Sequence, residues 1–218
     1  MKFKIKTSLR GAALSENMKV SVILAHPDKN SFNHAIAYSA IKALKEKDHE
    51  VIFHDLYAEE FDPVGPCEEL EKDAELPADI ELYCKEISTS EGIIIVHPNW
   101  WGQPPAILKG WVDRVIRPGV AFKFLEGDMG DGVPVGLLKA RAAVVFNTSN
   151  TPVERELKVF GDPLETLWKN CVFGLCGVNV FHREMFNIIV TSTLEQRQLW
   201  LKNVEHTVAK YFPKQHEG

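Results

Sequence analysis

No stretch of this 218-residue chain approaches the run of roughly 18–20 apolar residues that a membrane-spanning helix needs, which excludes a helical membrane protein. Basic residues are outnumbered, 25 Lys and Arg against 30 Asp and Glu, and the net charge of −5 comes without a basic stripe. That argues against nucleic acid as the main partner. Cysteine is scarce: four in a chain this long do not make a disulfide scaffold. Cys171 and Cys176 fall in an apolar helical segment without nearby histidines, so they read as reduced core residues and no metal site is expected. Reduced thiols make the cytoplasm the default compartment. Residues 1–17 carry basic residues but no apolar core of the kind a secretory signal has. They read as a disordered extension with Met18 as an alternative start, leaving 18–218 as one domain. What is present, 45% hydrophobic and 25% charged residues, is the make-up of an ordinary soluble domain.

The most informative stretch is 92–116, GIIIVHPNWWGQPPAILKGWVDRVI. Ile93, Ile94, Ile95 and Val96 form a β-branched run without alternation, the mark of a strand buried on both faces. Pro98, having no N–H to donate, is expected to stop its ladder. Two tryptophans, Gly102 and Pro104-Pro105 follow. Then Ala106, Ile107, Leu108, Trp111, Val112 and Val115 recur at helical spacing. A buried strand therefore runs into a rigid aromatic loop that feeds a helix.

The same grammar repeats along the chain. Residues 19–25 (KVSVILA) read as a first strand, ending at His26-Pro27-Asp28; Asn30 or Ser31 suits the cap of the next helix. Residues 51–56 read as a second strand. Residues 57–77, acidic and broken by prolines, read as an excursion with little regular structure, and a helix follows to about Ser90. Residues 117–139 form a Gly- and Pro-rich loop long enough to suggest function. Residues 141–146 read as a fourth strand, ending in the polar turn Asn147-Thr148-Ser149-Asn150-Thr151-Pro152, suited to offering N–H groups to an anion. A helix opens at Asp162-Pro163 and ends by Gly177. Residues 178–190 are expected to contain a fifth strand, centred on 186–190 with an edge preceding it, and 193–211 reads as a closing amphipathic helix.

Alternating strands and helices imply an α/β fold, a three-layer doubly wound parallel sheet. Five strands fit the flavodoxin-like order 2-1-3-4-5, with ligands taken at the carboxyl ends of the strands. That order gathers the loops 26–33, 98–105 and 147–151, and the exposed N–H groups and flat indoles of the middle one suit a large, flat, partly polar ligand.

Taken together, AHPDKNSFN (25–33), DLYAEEFDP (55–63) and HPNWWGQPPAILKGWVDRV (97–115) resemble the flavodoxin-like NAD(P)H:quinone oxidoreductases. The resemblance runs from about Met18 to the end and thins after Asn150. It implies a cytoplasmic two-electron reductase with bound FAD or FMN, FAD slightly favoured, NAD(P)H as donor, a quinone or similar aromatic acceptor, and a ping-pong cycle in a pocket completed by the partner of a homodimer. An azo- or nitro-reductase would use the same site, and relatives of this kind also serve as ancillary subunits of potassium-efflux systems.

Carried over by residue, the resemblance assigns His26, Ser31, Phe32 and Asn33 to the flavin's phosphate and ribityl portion. It sets Pro98, Asn99, Trp100, Trp101 and Gly102 along the isoalloxazine, with one indole on the flavin and the other on packing or an interface. Asn147, Thr148, Ser149 and Asn150 match a turn that is T-T-G-G in the mammalian members, and Phe122 and Phe124 match two tyrosines on the substrate side. Two departures stand out: the paired glycines are Ser149 and Asn150, and the family's histidine before a Gly-Asp pair is Phe160. Negative charge developing on a reduced flavin can be met by backbone N–H groups, so the expected chemistry needs no side-chain acid.

Overall fold

The computed structural model describes residues 17–71, 74–125, 127 and 132–214; the expected N-terminal extension, apart from Asn17, lies outside them. Strands β1 (Lys19–Leu24), β2 (Glu50–Asp55), β3 (Gly92–Pro98), β6 (Ala142–Ser149) and β7 (Val180–Asn187) form one parallel sheet in the order β2-β1-β3-β6-β7, the expected flavodoxin-like order. Between them run α1 (Phe32–Lys45), α2 (Ala78–Thr89), α3 (Ala106–Val115) and α4 (Val153–Lys158). Helix α5 (Pro163–Glu165) continues as wider π-type turns over Thr166–Gly174, and α6 (Leu194–Tyr211) closes the chain.

Every residue of β3 is buried because helices cover both faces of the sheet. Successive side chains of β3 point to opposite faces. Ile93 and Ile95 join α2, α3 and the π-type turns through Ile80, Leu108, Trp111 and Trp168; Ile94 and Val96 join α1 and α6 through Ile36, Ala40, Val204 and Val208. The β-branched run thus divides two cores, each closed by helices whose apolar positions recur at helical spacing.

Four expectations need correction. Strand β3 does not stop before Pro98: the proline pairs with Thr148, and the Asn99 N–H donates to the Thr148 carbonyl at 2.7 Å. The donor that Pro98 lacks would face the β1 side, where pairing has already ended at Leu24–Val96. Likewise β6 runs to Ser149, so Asn147, Thr148 and Ser149 are strand residues and the turn begins only at Asn150. The fifth core strand falls within 178–190 as expected but is centred earlier, at Val180–Asn187 rather than 186–190. It is an edge strand, and His182, Arg183 and Glu184 dilute its apolar signal. Finally, the 117–139 loop contains a small hairpin of β4 (Phe122–Lys123) and β5 (Val135–Gly136).

The acidic excursion after β2 is pinned rather than loose. The Arg114 guanidinium, buried on α3, pairs with the buried Glu69 carboxylate, donating from Nε at 3.0 Å, and also donates to the Asp62 carbonyl at 2.6 Å. Gly110 lets the backbone of Pro63 lie against α3; a Cβ there would fall 2.2 Å from the Pro63 carbonyl oxygen.

Candidate functional site

A cleft of about 860 Å³ opens at the carboxyl ends of β1, β3 and β6, within the usual range for small-molecule and cofactor sites. Its first wall is the start of α1, where His26, Asn30, Ser31, Phe32 and Asn33 line the cleft. Ser31 caps the helix: its side chain accepts from the His34 N–H at 3.4 Å. The Phe32 and Asn33 N–H groups in the first turn have no carbonyl of their own helix to bond. Asn33, 2% exposed, ties this wall to β6 by donating to Thr148 Oγ1 at 3.0 Å. His26 Nδ1 accepts from the Asp28 N–H at 3.1 Å, and burial holds its pKa below the ordinary imidazole value.

Pro98, Asn99, Trp100, Trp101 and Gly102 form the second wall. Reciprocal 3.0 Å bonds between Trp100 and Gln103 close the loop, and Asn99 Oδ1 accepts from the Gly102 N–H at 2.9 Å. Trp101 and Gly102 both turn through the left-handed region, with φ of 59° and 72°. At Gly102 a Cβ would also meet the Pro163 ring at 2.8 Å, so glycine is required twice over. Trp101 is fully exposed at the cleft mouth, whereas Trp100 leans toward His26 with ring centroids 6.3 Å apart.

Thr148, Ser149 and Asn150 line the third wall with Thr151. Asn147 does not. It is wholly buried behind the wall, accepting from Arg183 Nη1 at 2.8 Å, with its Nδ2 unpartnered. The same Arg183 donates to the Asp162 carboxylate and, at 3.1 Å, to Glu165. This charged cluster braces the end of β6 from beneath. Depth along β6 sets it apart: Ser149 points to the same face as Asn147 but stands at the strand's end, whereas Asn147 is one strand repeat further in, under the wall. Phe122 and Phe124 also lie outside this cleft. They sit at the hairpin, edge to face with centroids 5.9 Å apart.

Of the lining residues not anticipated as site residues, Phe160, Glu156 and Arg197 bear most on the cleft's chemistry. Phe160, noted in the sequence only as a departure, is half exposed on the cleft wall. Glu156, 2% exposed on α4, accepts at Oε1 from Asn99 Nδ2 (2.9 Å) and Ser149 Oγ (3.2 Å), locking the second wall to the third. It is a carboxylate on a wall for which the sequence offered none. Arg197, in the first turns of α6, is held by Ser192 Oγ at 2.8 Å and the Ile189 carbonyl at 3.0 Å, with its guanidinium carbon 5.9 Å from the Phe32 ring centre. One end of the cleft therefore carries a helix N-terminus and an arginine, both suited to an anion. The other end is flat and aromatic. Among the described residues there is no His, Cys, Asp and Glu grouping able to hold a metal, and no helix long and apolar enough to cross a membrane.

The flavodoxin-like fold family matches residues 18–203. An uncharacterized NAD(P)H oxidoreductase of Haemophilus influenzae is 35% identical over 173 residues, covering 77% of this chain and 83% of that protein. NAD(P)H dehydrogenase (quinone) 1 of Rattus norvegicus is 29% identical over 185 residues, 75% of this chain and 66%, just under two thirds, of the rat protein. Among solved structures, the NAD(P)H:quinone oxidoreductase from Methanothermobacter marburgensis superposes with a TM-score of 0.75 at 23% identity, over 93% of this chain and all of that one.

Proposed function

We propose, from the premise that this chain belongs to the flavodoxin-like fold family, that it is a flavin-dependent NAD(P)H oxidoreductase reducing quinones or similar aromatic acceptors by two electrons in a ping-pong cycle. The observation that carries this reading is the polarity of the cleft: an anion-binding end built from α1 and Arg197, joined to a flat aromatic end built from Trp100, Trp101 and Phe160. That is the shape and charge order of FAD or FMN. Ser31, the first-turn N–H groups of α1 and Arg197 would hold phosphate. The loop 98–102, braced by Glu156, would lie along the ring system. A bound flavin supplies hydride acceptance and donation, the chemistry that no side chain can perform. The protein's part is to orient the reactants, exclude water and meet developing negative charge. Backbone N–H groups of the loop 98–102 and of Asn150 would serve the last of these.

The same reading makes the protein a homodimer, since Phe122 and Phe124 lie apart from the cleft of their own chain and could complete the partner's. It also makes the protein cytoplasmic, in keeping with four free cysteines. The test is an absorbance spectrum of the purified protein, identification of the released cofactor by mass, and anaerobic addition of NADPH followed by a quinone. The expected result is a flavin spectrum that bleaches with NADPH and returns with quinone. A colourless protein that neither flavin can reconstitute would refute the reading, and a monomer by light scattering would refute the shared site.

A further inference from the structure

Behind the anion-binding end of the cleft lies a chain of three polar side chains. Ser31 Oγ is 3.0 Å from His34 Nδ1, and His34 Nε2 is 3.0 Å from Asp55 Oδ2. His34 is 3% exposed and Asp55, at the end of β2, 9%. A helix cap needs only the serine; nothing in capping calls for a buried histidine on its hydroxyl backed by a carboxylate.

Hydrogen-bond bookkeeping fixes what each group can do. An ionised Asp55 only accepts, so His34 Nε2 carries a hydrogen. If the ring is neutral, Nδ1 is then an acceptor, and the single hydroxyl hydrogen of Ser31 is spent on it. Ser31 Oγ also accepts from the His34 N–H. In that state it presents only a lone pair to the cleft, the wrong polarity for a phosphate oxygen. If His34 gains a second proton from solvent, Nδ1–H donates to Ser31 Oγ, and the hydroxyl hydrogen is released to point at the anion. Asp55 stabilises that cation, and its Oδ1 already accepts from the Ala58 N–H at 3.3 Å.

From this arrangement we infer that His34 and Asp55 are positioning residues which couple anion binding at Ser31 to the uptake of one proton by His34. The other groups facing the His34 ring do not supply the proton. The Tyr38 ring lies 6.2 Å away on α1, and His26, with Asp28 beside it, lies 6.5 Å away in the preceding loop. His26 is held toward its neutral form by burial.

The inference rests on the proposed function only for the identity of the anion, so the test has a flavin arm and a flavin-free arm. Histidine ring NMR on the flavin-free protein at about pH 8 should show His34 as the Nε2–H tautomer. Sodium sulfate, and separately FMN, should convert it to the doubly protonated form. Calorimetry with FMN in buffers of different ionisation heat should read up to one proton taken up, and affinity should fall toward tenfold per pH unit at alkaline pH. Ser31→Ala should abolish uptake and Ser31→Thr should keep it. An Nδ1–H tautomer, no uptake in the native protein, or undiminished uptake in Ser31→Ala would overturn the inference. If sulfate protonates His34 but FMN does not bind, the flavin reading fails while the coupling stands; if FMN binds without uptake, the reverse holds.

Discussion

Replacing Glu156 by alanine removes the acceptor on which two walls of the cleft meet. The carboxylate is 2% exposed and takes hydrogen bonds from Asn99 Nδ2 at 2.9 Å and Ser149 Oγ at 3.2 Å. Hydrogen bonds to a charged group contribute about 1.5–3 kcal/mol each. Deletion also relieves the cost of keeping a carboxylate out of water, which offsets part of that sum. The net loss in Glu156→Ala should be about 2–4 kcal/mol, because buried Ser149 is left without its acceptor. For a chain of this length that lowers Tm by roughly 4–16 °C. Glu156→Gln keeps an oxygen where Oε1 stands and loses only the charge assistance, so its cost should be about 1–2 kcal/mol. Thermal and urea unfolding of the flavin-free protein measure the fold contribution, and flavin fluorescence quenching measures how well the loop 98–102 is held. Flavin affinity should fall in the same order, alanine below glutamine below native. The reasoning is refuted if alanine melts and binds like the native protein, or if glutamine is as damaging as alanine, since charge rather than bracing would then be the role of Glu156.

Three further perturbations test separate links. Phe160→His should leave the rate of flavin reduction by NADPH within about threefold in anaerobic stopped flow; a gain of about a hundredfold, the lower reach of a positioned acid, would show that the chemistry wants a side-chain proton donor after all. Gly110→Ala should destabilise by about 1–3 kcal/mol in urea unfolding, despite alanine's helix preference of about 1 kcal/mol, because its Cβ would strike the Pro63 carbonyl; an unchanged or higher midpoint would refute the close approach. His97 is wholly buried, accepting from Trp168 Nε1 at 3.0 Å, and burial lowers its pKa from 6.5 to about 4. A base that resists protonation only when folded contributes stability that is complete above about pH 6.5 and drains away as pH falls toward 4, at most about 3 kcal/mol. Urea unfolding at pH 7 and pH 5 should show that loss in the native protein and not in His97→Gln, and equal pH slopes in the two would refute it.

The sheet order was legible because its signal is coarse. Ile93-Ile94-Ile95-Val96 has no polar interruption, and a doubly wound sheet needs its middle strand apolar on both faces. Where a strand is exposed on one side the signal weakens: β7 carries His182-Arg183-Glu184, so residues 186–190 looked the better candidate. The ends of β3 and β6 were misread for a different reason. Pro98 and the polar run 147–149 are individually poor strand residues, but each pairs with the other, and pairing is a property of two segments that neither announces alone.

The same distinction explains the site. His26, Ser31, Phe32, Asn33 and the loop 98–102 are visible because a strand end followed by a cap or a glycine is local grammar. Glu156, Arg197 and the His34–Asp55 pair are each an ordinary charged or polar residue on a helix or at a strand end, indistinguishable in the sequence from a solvated face. What makes Glu156 and His34 functional candidates is burial, and burial is decided by segments far along the chain: Glu156 by the loop after β3, His34 by β2, whereas half-buried Arg197 is held locally by Ser192 and Ile189. Each is also satisfied by groups belonging to the cleft wall. A polar side chain withdrawn from water must recover its hydrogen bonds locally. When those partners include residues that line a cleft, the buried group inherits control over their orientation. On that ground Glu156 and His34 should govern how ligands are held, more than the fully exposed Trp101 that first draws the eye.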